Sequence, residues 1–212
     1  MSSTKEVRER IRSVKNIAQI TKAMEAVSAT KMRKSQQFAL EARPFAIAAL
    51  EMLGNVFSRT SIPPPLLVER PVRSKALFVI TSDKGLAGAF NANVLRQAEK
   101  WVREQKKNNV PYVIITVGKK AKDYFSARGG SAAGGDRRIA QSFSGFGDFS
   151  KIADTVPVAD MLMRGFIHGE WDEVRAIYMN FRSTMRQEVL SRHILPVRKE
   201  EIEKMVQGIL PE

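Results

Sequence analysis

The stretch Thr81-Ser82-Asp83-Lys84-Gly85-Leu86-Ala87-Gly88-Ala89-Phe90-Asn91 is the segment best placed to do chemistry. It leaves an apolar run, passes two glycines and enters a helical pattern, a turn that can hold an anion on a helix N-terminus. Its spacing lacks the G-x-G-x-x-G of dinucleotide sites and the closing Gly-Lys-Ser/Thr of a phosphate loop. The residues therefore fit a tight strand-to-helix connection whose glycines allow close packing. Other chemistry is thin. His168 and His193 stand near element ends without a partner at metal-ligand spacing, so both read as surface or packing residues. The chain has no cysteine, which removes disulfides, thiolate metal sites and thiol switches. Zinc would have to rely on carboxylates and the two histidines. No serine nucleophile elbow is present. The acidic pairs Asp172-Glu173 and Glu200-Glu201 read as solvated edges and a helix start. No catalytic residue, cofactor or metal is expected, and the chain reads as a non-enzyme.

The elements that would position this loop alternate. Residues 75–81 read as a buried strand and 91–107 as a helix with cations at its end. A second buried strand follows at 110–117, then a short helix at 119–127 stopped by Gly129-Gly130. Residues 129–147 read as a glycine- and serine-rich loop with a short strand at 138–143. A helix at 150–168 is capped by Gly169. Strands at 173–180 and 188–195 form a hairpin turning around Ser183-Thr184. Strand and helix in alternation predict an α/β fold with a mostly parallel sheet and an antiparallel last pair.

Before this domain lies a different kind of segment. Residues 5–43 contain no glycine or proline, and a helix of that length reaches about 60 Å, against about 30 Å for a small domain. It is expected to continue past Pro44, which removes one backbone hydrogen bond. Val7, Ile11, Val14, Ile17, Ile20, Met24 and Val27 follow at steps of three and four, the spacing of a coiled-coil seam. The run of threes winds this stripe quickly around the helix, which suits partners met in turn. Lys5, Arg8, Arg12, Lys15 and Lys22 form a basic stripe beside it. The run Ile62-Pro63-Pro64-Pro65 ends the helix. The expected division is a helix over 1–60, a proline-rich linker over 61–73, an α/β domain over 74–196 and a tail over 197–212.

The net charge of +13 over 212 residues implies an acidic partner surface. No RNP motif, zinc finger or helix-turn-helix accompanies it, and aromatics do not interleave with the basic residues of the helix. The N-terminus is too charged for a signal peptide, and no apolar run is long enough to span a membrane.

The run from Arg12 to Lys34 (RSVKNIAQITKAMEAVSATKMRK) closely resembles the N-terminal helix of the gamma subunits of F-type ATP synthases, and TSDKGLAGAFNANV at 81–94 resembles that family's strand-to-helix glycine loop. The resemblance covers essentially the whole chain. It implies a central stalk whose N-terminal helix is half of an antiparallel coiled coil, standing inside a ring of alpha and beta subunits. A Rossmann-like α/β domain forms the foot, beside the epsilon subunit and the membrane c-ring. It implies no nucleotide, no cofactor, no small-molecule substrate and no nucleic acid as ligand of this chain. It places the protein peripherally on the cytoplasmic face of a bacterial plasma membrane. Arg8, Arg12, Lys15, Lys22, Lys31, Arg33 and Lys34 would be contacts to the ring. Met24 would be an uncharged position near the catalytic-subunit loops. The family's C-terminal helix lies beyond the point where this chain stops, so the stripe from Val7 to Val27 is expected to lack a partner within it. Two other readings are an α/β nucleotide-binding domain with a helical arm, testable by nucleotide binding, and a basic nucleic-acid-binding protein, testable by steep salt dependence.

Overall fold

The computed structural model describes residues 4–59, 63–131, 137–147, 151–183 and 185–209. Ile62 of the proline run, Thr184 of the hairpin turn and Ser150 at the expected start of the fourth helix lie outside the described residues. The chain divides into two compact units, Met1–Ala46 and Ile47–Glu212.

Helix α1 runs Thr4–Arg59 and includes Pro44. Alanines and long unbranched side chains favour it. Its threonines are accommodated by bonding backward: the Thr21 hydroxyl donates to the Ile17 carbonyl at 2.8 Å, and the Thr30 hydroxyl to the Ala26 carbonyl at 3.0 Å.

The second unit holds a six-stranded sheet in the order β3-β4-β2-β1-β5-β6. Its strands are β1 (Lys75–Ile80), β2 (Tyr112–Val117), β3 (Gly130–Ser131), β4 (Arg137–Phe143), β5 (Glu173–Phe181) and β6 (Gln187–Leu195), with helices α2 (Phe90–Lys107), α3 (Lys119–Ser126), α4 (Ile152–Ile167) and α5 (Lys199–Ile209). All neighbouring strands are parallel except β6, which pairs antiparallel with β5. The expected α/β class with a mostly parallel sheet is the one observed.

Alternating side chains of the strands feed two cores. Leu77, Val79, Ile114 and Ile177 pack under Val94, Ala98 and Val102 of α2 and Phe125 of α3. On the other face, Ala76, Val113, Ile115 and Val174 pack against Val158, Leu162 and Phe166 of α4. Trp171 closes this second core, donating its indole N–H to the Leu162 carbonyl at 3.1 Å. A Cβ on Gly165 would overlap the Trp171 ring. Gly169, with φ of 77°, ends α4 in the left-handed region, as its position predicts.

Two expectations need correction, the extent of strand in 129–147 and the exposure of the pair Asp172-Glu173. The stretch 129–147 holds the strand expected at 138–143, as β4, and also a two-residue β3 that was not expected. Their polar residues hide the strand pattern, because β3 is an edge and Ile139 is the buried hydrophobic residue of β4. The helix start read at Glu200-Glu201 is the first turn of α5, within the tail. The pair Asp172-Glu173 is no solvated edge, since both residues are buried. Asp172 accepts from the Arg73 and Ser74 amides at 2.7 and 3.1 Å and pairs with Arg70 at 2.5 Å. Burial pushes its carboxyl up, but those two amides and Arg70 outweigh it and hold it below the ordinary range. Arg70 also donates to the Phe166 and Trp171 carbonyls and lies over the Phe166 ring, 4.5 Å from its centre. The segment entering β1 is thus tied to the α4–β5 connection. It is also tied to the segment leaving β6, where the Val197 amide donates to the Leu66 carbonyl at 2.9 Å.

Candidate partner-binding interface

The apolar stripe of α1 is exposed along its length. Val7, Ile11, Val14, Ile17, Ile20, Met24 and Val27 are between 44% and 64% accessible. Scattered apolar residues on a surface are ordinary. A continuous row on one helix is a surface that a partner would cover.

The basic residues expected to touch partners, Arg8, Arg12, Lys15, Lys22, Lys31, Arg33 and Lys34, are all exposed on the same helix, as is Met24. They do not share one face. At 3.6 residues per turn, Arg8, Arg12, Lys15, Lys22 and Arg33 fall within an arc of about 80°. Met24 and Lys31, seven residues apart, lie about 160° and 180° from Lys22. Lys34 falls between the two groups. The helix therefore presents a basic edge, a second edge where Met24 leads into Lys31, and the winding apolar stripe.

The glycine loop after β1 borders a cleft of about 790 Å³ at the C-terminal ends of β1 and β2. In open α/β sheets this is where ligands bind. The walls are mostly apolar, with Phe78, Ile80, Val117, Phe146, Val158 and Leu162 among them. The side chains of Thr81, Ser82, Asp83 and Asn91 bond within the protein. The first amides of α3 are taken in order: Lys119 N–H by the Asp83 carboxylate at 2.8 Å, Lys120 by the Ser82 carbonyl at 3.2 Å and Ala121 by the Thr81 hydroxyl at 2.8 Å. The second Asp83 oxygen accepts from the Gly145 amide at 2.8 Å. Asn91 accepts from the Ser82 amide at 3.0 Å and donates to its hydroxyl at 2.8 Å. An anion arriving at the α3 N-terminus would meet a carboxylate already there.

The loop glycines do a different job from the one expected. A Cβ on Gly88 would meet nothing within 4 Å, and one on Gly85 would make an ordinary contact. Gly88 instead supplies a φ of 53°. The close approach is at Gly118, where φ is 92° and a Cβ would overlap Thr81. No group of three His, Asp or Glu side chains among the described residues could hold a metal ion. No described helix is long and apolar enough to cross a membrane.

The groups that sequence reasoning missed are Arg70 with Asp172 and Glu173 with His193. Arg70 meets its carbonyl partners 96 and 101 residues away, and nothing local announces such a contact.

A family model described as ATP synthase matches residues 3–210. The chain is 36% identical over 200 residues to the ATP synthase gamma chain of Roseiflexus castenholzii, spanning 93% of this chain and 67% of that one. It is 39% identical over 206 residues to the gamma chain of Chloroflexus aurantiacus, at 95% and 69% coverage. It thus spans about two thirds of the length of these relatives. Its fold is similar to a chain in the Tetrahymena thermophila mitochondrial ATP synthase central stalk and c-ring structure, with a TM-score of 0.59 at 22% identity, covering 89% of this chain and 84% of that one. A chain in the Euglena gracilis mitochondrial ATP synthase rotor gives 0.57 at 18% identity, covering 94% and 64%.

Proposed function

The chain belongs to the gamma-chain family of ATP synthases, the central-stalk rotor subunits, and from that premise we propose how it meets its partners. Helix α1 stands within the ring of alpha and beta subunits, and the α/β domain is the foot, meeting epsilon and the c-ring on the cytoplasmic face of a bacterial plasma membrane. Proton flow turns the c-ring and the shaft with it, and the asymmetric shaft changes the catalytic sites in sequence. The observation that carries this is the exposed apolar row on α1 with a basic edge beside it.

Arg8, Arg12, Lys15, Lys22, Arg33 and Lys34 would attract acidic loops of the ring, and Lys31 would do so on the Met24 edge. Exposed ion pairs contribute only about 0–1 kcal/mol each and weaken with salt. Such contacts let a rotor pass each stator subunit without being held. Met24 is the uncharged step on its edge. The chain acts without an active site or cofactor of its own, a reading supported by the self-bonded amides beside the β1 cleft.

The test is co-purification with separately expressed alpha and beta subunits, followed by an ATPase assay, with a gamma chain of one of the relatives as positive control. A stable, active complex is expected. Failure where the control assembles would overturn the shaft reading. In the assembled enzyme, Met24→Lys should add an ion pair on the passing edge and lower proton pumping per ATP hydrolysed. Unchanged coupling in reconstituted vesicles would remove Met24 from the interface.

A further inference from the structure

A second cleft, of about 350 Å³, opens near the start of β1, on the sheet face covered by α2. Its floor is Lys75 of β1, Arg175 of β5 and Ser191 of β6. Its roof is one face of α2: Gln97, Lys100, Trp101, Glu104 and Gln105, spaced i, i+3, i+4, i+7 and i+8. Unlike the apolar cleft beside the glycine loop, this one is rich in donors. Two ammonium groups, a guanidinium, a hydroxyl, amides and an indole line it, against a single carboxylate, Glu104.

Beneath it lies Glu173, a buried carboxylate that holds two of those cations in place. Lys75 approaches one of its oxygens at 3.5 Å and Arg175 the other at 3.5 Å. These are ion-pair distances, longer than good hydrogen bonds, so most donors of both cations remain available. His193 shares this sheet face, opposite Arg175 in the β5–β6 register. It is 4% exposed and 3.8 Å from Glu173, and neither ring nitrogen has a hydrogen-bond partner among the described residues. A buried polar ring without partners is costly.

We propose that this cleft binds a small free oxyanion of the phosphate class, held by Lys75, Lys100 and Arg175. Arg175 supplies the planar fork suited to two oxygens, and the lysines supply point charges from β1 and α2. The volume is at the small end of the range for ligand sites, about 300–1,000 Å³. Occupancy bridges α2 to three strands, so it stabilises the fold by mass action.

The probe is inorganic phosphate, titrated into the full chain at constant ionic strength and followed by calorimetry and by thermal unfolding against chloride. Saturable binding with a rise in unfolding temperature is expected. Lys100 is exposed on α2, so Lys100→Gln should fold normally and bind about tenfold more weakly, the loss of one charge-assisted hydrogen bond. Arg175→Gln should abolish saturation. Lys119→Gln, beyond the other end of β1, is the control and should change nothing. If Arg175→Gln fails to fold, Lys100→Gln against Lys119→Gln still decides the question. Absence of saturation in the parent chain, or equal weakening by Lys100→Gln and Lys119→Gln, would overturn the proposal.

Discussion

Beside the two apolar cores, charged side chains with several partners each tie the α/β unit together. Arg70 meets a carboxylate, two carbonyls and an aromatic face at once. Arg70→Met would keep the bulk and leave Asp172 buried with only its two amide donors. The expected loss is about 3 kcal/mol, read as a lower urea midpoint at unchanged slope. Glu173 makes an acid-sensitive contribution. His193 beside it has the largest influence, burial opposes it, and Lys75 and Arg175 add to it, lowering its carboxyl from 4.5 to about 2. A depressed carboxyl stabilises the fold fully above its unfolded value, and the effect disappears as the pH falls through the folded one. Parent and Glu173→Gln should therefore differ most above pH 4.5 and converge near pH 2. Unfolding curves at a series of pH values across that window check it, and parallel profiles would contradict it.

Among the elements, legibility followed apolar content. The strands at 75–80 and 112–117 are buried on most sides, so their hydrophobic runs announce them, and the helix between them shows a single apolar face. β4 carries Arg137, Arg138, Gln141 and Ser142, so the sequence marked it only as a short strand at 138–143, and pairing with β2 supplies the rest of its strand character. The acidic pair at 172–173 looked solvated because its partners, Arg70 and Lys75, come from far away in the chain. Helix α1 was legible from the glycine-free run over 5–43 and its stripe. The eight residues singled out on it are exposed together, but their separation onto two edges needed the helix to be drawn. The connection from β1 to α2 organises the start of α3, with Asp83 joining Lys119 to Gly145. Asp83→Ala would free both amides and cost about 1–2 kcal/mol, as the loss of a helix cap does. Faster amide exchange confined to the first turn of α3 and to Gly145 is the expected signature.

For the whole molecule, the net charge of +13 predicts association that depends on ionic strength. The Debye length falls from about 10 Å at 0.1 M salt to about 3 Å at 1 M. Binding to the alpha–beta ring should slow steeply over that range while dissociation changes less, because apolar burial along α1 is not screened. Stopped-flow association at several salt concentrations measures both, and a salt-independent on-rate would separate the charge from assembly. The antiparallel course of β6 has a mechanical consequence. A wholly parallel sheet would release the chain at the end opposite its entry. Here β6 turns it back, so the chain leaves the sheet at the end where β1 enters it, with only β5 between the two strands, and Leu66 and Val197 are bonded across the gap. Everything from β1 to β6 then hangs as an insertion on a closed neck. Tension applied to the two flanking segments runs through that neck and bypasses the strands, so the sheet can carry load at its margin without being pulled apart.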